Sequence, residues 1–163
     1  MSLRKYALVF LALIICGHAG GCIGKETRKE YYDDGKIKAS YPLNKKGVIE
    51  GVVKTYYPSG TIQSKEAYKN DVKEGTSKAY YESGKLKAEV IFKDDKLSGR
   101  FKKYNERGKL IEEGNWEGGK REGIQKVYYE SGKVAREGNF KEDKILSETC
   151  YDEQGNEVTC PKE

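Results

Sequence analysis

The chain has 163 residues, with 31 basic against 26 acidic side chains and only 36% hydrophobic residues. The two charge signs are interleaved and form no basic block, which describes a solvated, salt-bridged surface and excludes nucleic-acid binding as the expected role. So few apolar residues predict a thin core.

Residues 1–5 carry Arg4 and Lys5, and residues 6–15 hold no charge. That apolar run is too short for a mature transmembrane helix, which needs roughly 20 residues. A basic start, a short apolar stretch and the small residues Ala19, Gly20 and Gly21 read as an export signal over residues 1–21. Cys22 follows and resembles the acylated cysteine of a bacterial lipobox. Ala19 departs from that pattern, which favours Leu three residues before the cysteine. An ordinary secretory signal cut after Ala19 or Gly21 is the alternative, and Cys16, preceded by bulky Ile15, is a poor rival acceptor. Lipoprotein sorting, with Ile23 and not Asp after the cysteine, implies the outer membrane where the envelope has two. The expected location is therefore the cell envelope, with the membrane reached through a lipid anchor on Cys22.

Removing residues 1–21 also removes Cys16 and His18, the only histidine, and leaves a net charge of +3. Export makes oxidation available to the remaining close pair, Cys150 and Cys160, which flank a hairpin-like stretch with Gly155 at its turn. A disulfide is the expectation, and two free thiols in a frayed tail the alternative. Two cysteines without histidine make a poor zinc set, so no metal or other cofactor is expected. Residues 22–30 read as a tether, half charged after the cysteine and without aromatics; the eight residues after Cys22 reach at most about 26 Å.

From Tyr31 the sequence repeats. Glycines at 35, 60, 84, 108, 132 and 155 are spaced by 25, 24, 24, 24 and 23 residues, each preceded four positions earlier by Tyr31, Tyr56, Tyr80, Tyr104, Tyr128 and Tyr151. A second glycine recurs at 51, 75, 99 and 123, and an aromatic at Tyr68, Phe92, Trp116 and Phe140. Landmarks holding one period define an internal repeat over residues 31–149, followed by a C-terminal cap hairpin over residues 150–163. Each unit predicts two strands joined by glycine turns, because runs rich in Tyr, Val, Ile and Phe alternate with ESGK-type turns that need φ > 0. The predicted fold is all-β, an elongated repeat array of antiparallel β-hairpins in one meandering sheet. Period-2 alternation places Leu86, Ala88, Val90 and Phe92 on one face. The tyrosine and aromatic columns, with Ile62, Leu86, Leu110 and Val134, are the expected spine.

The stretch WEGGKREG at 116–123, followed by YYESG at 128–132, resembles the MORN pattern, and more closely the bacterial MORN-variant repeat found in YwqK-type antitoxins. The resemblance covers about residues 31–146 with four good units. It implies an antiparallel sheet array serving interaction, dimerisation or membrane association. The ends depart from it: Tyr41 comes two positions early with extra residues at 42–46, and Ser147 stands where the second glycine belongs.

Lys54, Lys78, Lys102 and Lys126 recur three residues after each second glycine, and Glu89, Glu113 and Glu137 recur five after the turn glycine. Lys78, Lys102 and Lys126 are expected opposite those glutamates, whereas Lys54 is expected opposite Lys65. Cross-strand ion pairs contribute only about 0.2–1 kcal/mol each. The ladder therefore reads first as a solvated face, and second as a binding row of Lys54, Lys65, Lys78, Lys102 and Lys126. Catalysis is not expected. Without histidine there is no Ser-His or Cys-His pair, a thin sheet offers little burial to raise a carboxyl pKa, and the glycines lie in turns outside any phosphate-loop context. An exported, lipid-anchored scaffold that binds a protein or envelope polymer is the expectation; an antitoxin or immunity-type protein is the alternative.

Overall fold

The computed structural model describes residues 26–161, so the signal segment and Cys22 lie outside the described residues. Among the described residues fifteen strands form a single antiparallel sheet. Strand β1 (Glu26–Tyr31) pairs with β2 (Ile37–Leu43). Three units of a six-residue strand, an eight-residue strand and a two-residue stub follow. They are β3 (Gly51–Tyr56), β4 (Ile62–Lys69) and β5 (Val72–Lys73); β6 (Gly75–Tyr80), β7 (Leu86–Lys93) and β8 (Lys96–Leu97); and β9 (Gly99–Tyr104), β10 (Leu110–Glu117) and β11 (Lys120–Arg121). The chain ends with β12 (Gly123–Tyr128), β13 (Val134–Lys141), β14 (Lys144–Tyr151) and β15 (Glu157–Val158). Twelve strands lie on the main path, each beside its sequence neighbour apart from the stubs, which fold back on β4, β7 and β10. At about 4.8 Å per strand the sheet runs roughly 50 Å along the array.

Glycine placement divides the unit. The second glycines, 51, 75, 99 and 123, have φ between 73° and 123°, which breaks the chain between stub and next strand. At 147 the glycine is replaced by Ser, and stub and strand run on as the continuous eight-residue β14. The stub turns are two-residue loops with φ > 0 at both positions, as at Asn70-Asp71 and Asp94-Asp95. Their backbone twist matches the strands they join.

The five Tyr-to-glycine hairpins from Tyr31 to Gly132 carry a bulge, as between Ala79 and Tyr80, and this corrects one expected face. Ala88, Val90 and Phe92 do share a face, but the extra residue Lys87 puts Leu86 opposite Tyr80, in the column of the other face. The first unit also begins earlier than expected. Residues 26–30, read as tether, form most of β1 and pair with β2 from Glu26↔Leu43 onward.

One face carries the aromatics, each opposite a second glycine: Tyr68↔Gly51, Phe92↔Gly75, Trp116↔Gly99 and Phe140↔Gly123. A buried row lies one step inward, at Val53, Ser77, Phe101 and Gln125, all under 9% exposed. Phe101 packs edge-on to Trp116 with ring centroids 6.1 Å apart. The expected spine is shallower than these: Tyr56, Tyr80, Tyr104 and Tyr128 are half-buried, as are the four face aromatics, and Tyr31 is 49% exposed. Cations cover the rings instead, Lys73 lying 5.1 Å from the Phe92 centroid and Arg121 4.3 Å from that of Phe140.

Candidate functional site

The opposite face is organised by the lysine–glutamate ladder. The strand register places Lys78 opposite Glu89, Lys102 opposite Glu113 and Lys126 opposite Glu137. Their charged atoms lie 2.9, 3.9 and 3.0 Å apart. The hydrogen bond from Lys78 to Glu89, aided by the carboxylate's charge, holds the ammonium above its ordinary pKa. The paired side chains are about a third to a half exposed, so solvent screens all three pairs.

Lys54 stands opposite Lys65, and the next strand places Lys78 beside Lys65. The row therefore begins with three adjacent ammonium groups and only then alternates Glu89, Lys102, Glu113, Lys126 and Glu137. Among the described residues neither Lys54 nor Lys65 has a carboxylate partner. Lys65 lies over the Tyr80 ring at 5.6 Å from its centroid. All five lysines expected in a binding row do share one face and one level of the sheet, although the row is uneven in charge.

At the far end of the ladder Tyr128 donates to Glu113 at 2.6 Å. Burial, then this hydrogen bond and the nearby charges of Glu113 and Glu137, push its phenol up to about 12.

Two further series of contacts tie unit to unit along the edges. The second tyrosine of each YY pair reaches across one repeat, with Tyr32, Tyr57, Tyr81 and Tyr129 donating to the main-chain oxygens of Tyr56, Tyr80, Tyr104 and Tyr151 at 2.5–2.8 Å. At the stub edge, Asp71, Asp95 and Asp143 accept from the backbone N–H of Ile49, Lys73 and Arg121 at 2.7–3.0 Å. One unit lacks both side chains, having Asn105 for the tyrosine and Gly119 for the aspartate. Asn105 reaches Glu130 instead, at 2.6 Å. Sequence reasoning weighs the first tyrosine of each pair and passes over the second, although the YY doublets are the visible signal.

At the C-terminal end Cys150 and Cys160 form a disulfide with Cα atoms 5.2 Å apart, so the alternative of two free thiols does not describe this structure. Glu148 brings a carboxylate near the two sulfurs. The bond consumes both thiols, so this trio offers no thiolate pair to a metal. Beside it a groove of about 520 Å³ opens on the aromatic face, lined among others by Arg121, Arg136, Phe140, Ile145, Glu148 and Pro161. Its guanidinium groups are engaged, Arg121 with Asp143 at 3.2 Å and Arg136 with Glu148 at 3.4 Å.

The model of a family described as the MORN repeat variant matches the chain five times, over residues 27–44, 49–70, 73–94, 97–117 and 121–142. The first match starts inside β1, in agreement with the earlier beginning of the array. No curated protein matches the chain.

Proposed function

The chain belongs to the MORN repeat variant family, and from that premise we propose that it is an exported, lipid-anchored scaffold that binds a protein or envelope partner along the charged face of its sheet. The observation that carries this reading is the unbroken row from Lys54 to Glu137, which crosses eight strands at one level. Such a row offers an extended, repetitive surface, the kind of site that solenoids use in place of a deep pocket. The basic start, the apolar run and the small residues before Cys22 support export and acylation. The role is binding and not catalysis, since the chain beyond residue 21 contains no histidine and its carboxylates lie on an open sheet.

Metabolic labelling with palmitate, followed by capture from envelope extract, tests both parts. Lipid labelling should disappear in Cys22→Ser, and labelling that persists would overturn the anchor. The parent chain should retain a defined partner at physiological salt, where exposed charges are screened beyond about 8 Å. Capture of nothing above background would overturn the scaffold. A captured partner that is itself toxic would convert the reading to an immunity-type protein facing the exported compartment.

A further inference from the structure

The charged face is two different surfaces joined at β7. From β9 onward every lysine of the ladder has a glutamate across from it. From β1 to β6 the same level holds Lys29, Ser40, Lys54, Lys65 and Lys78. No strand residue on that face is acidic until Glu89. Four lysines thus fall within four strand spacings, about 19 Å. Glu89 neutralises the last of them, Lys78, at 2.9 Å.

The row on the stub side differs in part, being more apolar beside the lysines. Toward the stub edge, Val52 pairs with Ala67 and Thr76 with Ile91. Val52 is 47% exposed and Ile91 37%. One unit later the corresponding positions hold Arg100 and Asn115, a polar pair, and the unit after that sets Ile124, 45% exposed, opposite Asn139. Toward the tyrosine turns the lysines are bordered by half-buried Tyr56 and Tyr80, as those of the other half are by Tyr104 and Tyr128. The N-terminal half of the face is therefore a cationic strip between an apolar strip and an aromatic one, whereas the C-terminal half is self-neutralised.

We propose that this half-face, centred on Lys54 and Lys65, docks an extended acidic protein segment that carries apolar side chains beside its carboxylates. The inference rests on the scaffold reading above and names the chemistry of its partner. Like charges stacked at strand spacing repel one another, and an incoming carboxylate between Lys54 and Lys65 relieves that repulsion. An anionic polymer without apolar groups would satisfy the lysines but leave Val52 and Ile91 in water. A segment that covers both strips gains from each, by ion pairing on one and by removing apolar surface from water on the other. About six extended residues span the row.

The test is fluorescence anisotropy of the full chain with three probes: a labelled peptide of alternating Glu and Leu or Thr, a polyglutamate peptide of the same length, and vesicles of phosphatidylglycerol and phosphatidylcholine in equal parts. Lys54→Gln with Lys65→Gln should weaken binding of the mixed peptide about fivefold or more, and Lys102→Gln with Lys126→Gln less than about twofold. Both pairs remove the same charge, so a general electrostatic attraction would weaken equally in the two and overturn the proposal. Val52→Thr with Ile91→Thr should weaken the mixed peptide and leave polyglutamate unchanged, which also shows that the variant remains folded. Equal affinity for polyglutamate and the mixed peptide, preference of the Cys22→Ser chain for the vesicles, or no peptide binding would each overturn it. If envelope capture then still returns a partner with the Lys54 and Lys65 variant, the scaffold stands and only this inference falls.

Discussion

Replacing Gly114 by Ala should destabilise the protein, against the usual preference for alanine over glycine in a strand, which is about 0.5–1 kcal/mol. Gly114 stands in β10 opposite Phe101 of β9. A Cβ there would lie 2.6 Å from Gln125 Cγ, 2.9 Å from Phe101 Cε1 and 3.1 Å from Gln125 Cβ. Phe101 is 3% and Gln125 8% exposed, so neither can swing aside without disturbing the buried row of the sheet. Overpacking of this kind costs about 1–3 kcal/mol. For a chain of this size that is a fall in Tm of roughly 3–9 °C. Thermal unfolding followed by circular dichroism measures it, and a cycle with Gln125→Ala identifies the cause. Removing the Cγ at 2.6 Å should lower the cost of Gly114→Ala by about 1 kcal/mol or more. Gly138→Ala is the milder companion, because its Cβ would meet only the half-buried Phe140 ring, at 2.8 Å. A Gly114→Ala protein that melts at or above the parent temperature would refute the packing argument.

Tyr81→Phe removes the 2.7 Å bond to the Tyr104 carbonyl and should cost about 1 kcal/mol, as should Tyr57→Phe, whose hydroxyl lies 2.8 Å from the Tyr80 carbonyl. If both substitutions leave the melting temperature unchanged, the hydroxyl contacts do not tie the units together. Tyr128, with its phenol at about 12, holds its proton more tightly folded than unfolded, where a phenol titrates near 10. The associated stability is therefore complete below about pH 10 and is lost as pH rises toward 12. Glu113→Gln should bring the phenol down, as read by carbon NMR titration of labelled tyrosine ring carbons. A Tyr128 resonance already titrating at or below the ordinary phenol value in the parent would contradict the assignment.

The 24-residue period makes the strand order legible in the sequence, because chemically similar residues mark both turns. The ladder register is legible for the same reason, with Lys102 and Glu113 in fixed positions about one hairpin turn. The buried row is hidden, since Val53, Ser77, Phe101 and Gln125 share a place in the fold and no chemistry. Its volume is balanced across strands, as where Phe101 faces Gly114, and a period search over one column cannot register such compensation. The bulge that moves Leu86 away from Phe92 is equally silent, because alternation assumes one residue per step. Strand β1 escapes because ETRKEY has no apolar pattern; it is an edge strand exposed along its whole length, and its pairing is supplied by β2.

The hydroxyls of the second tyrosines, Tyr32, Tyr57, Tyr81 and Tyr129, bind carbonyl oxygens of the main chain, not side chains. The receiving half of each joint is thus present whatever residue occupies the position, as Tyr151 of the divergent last unit shows by accepting from Tyr129. A joint of this kind is encoded by one codon on one side only. Duplication or deletion of a 24-residue block leaves every remaining donor with an acceptor, so the gene can change length by recombination without a matching mutation elsewhere.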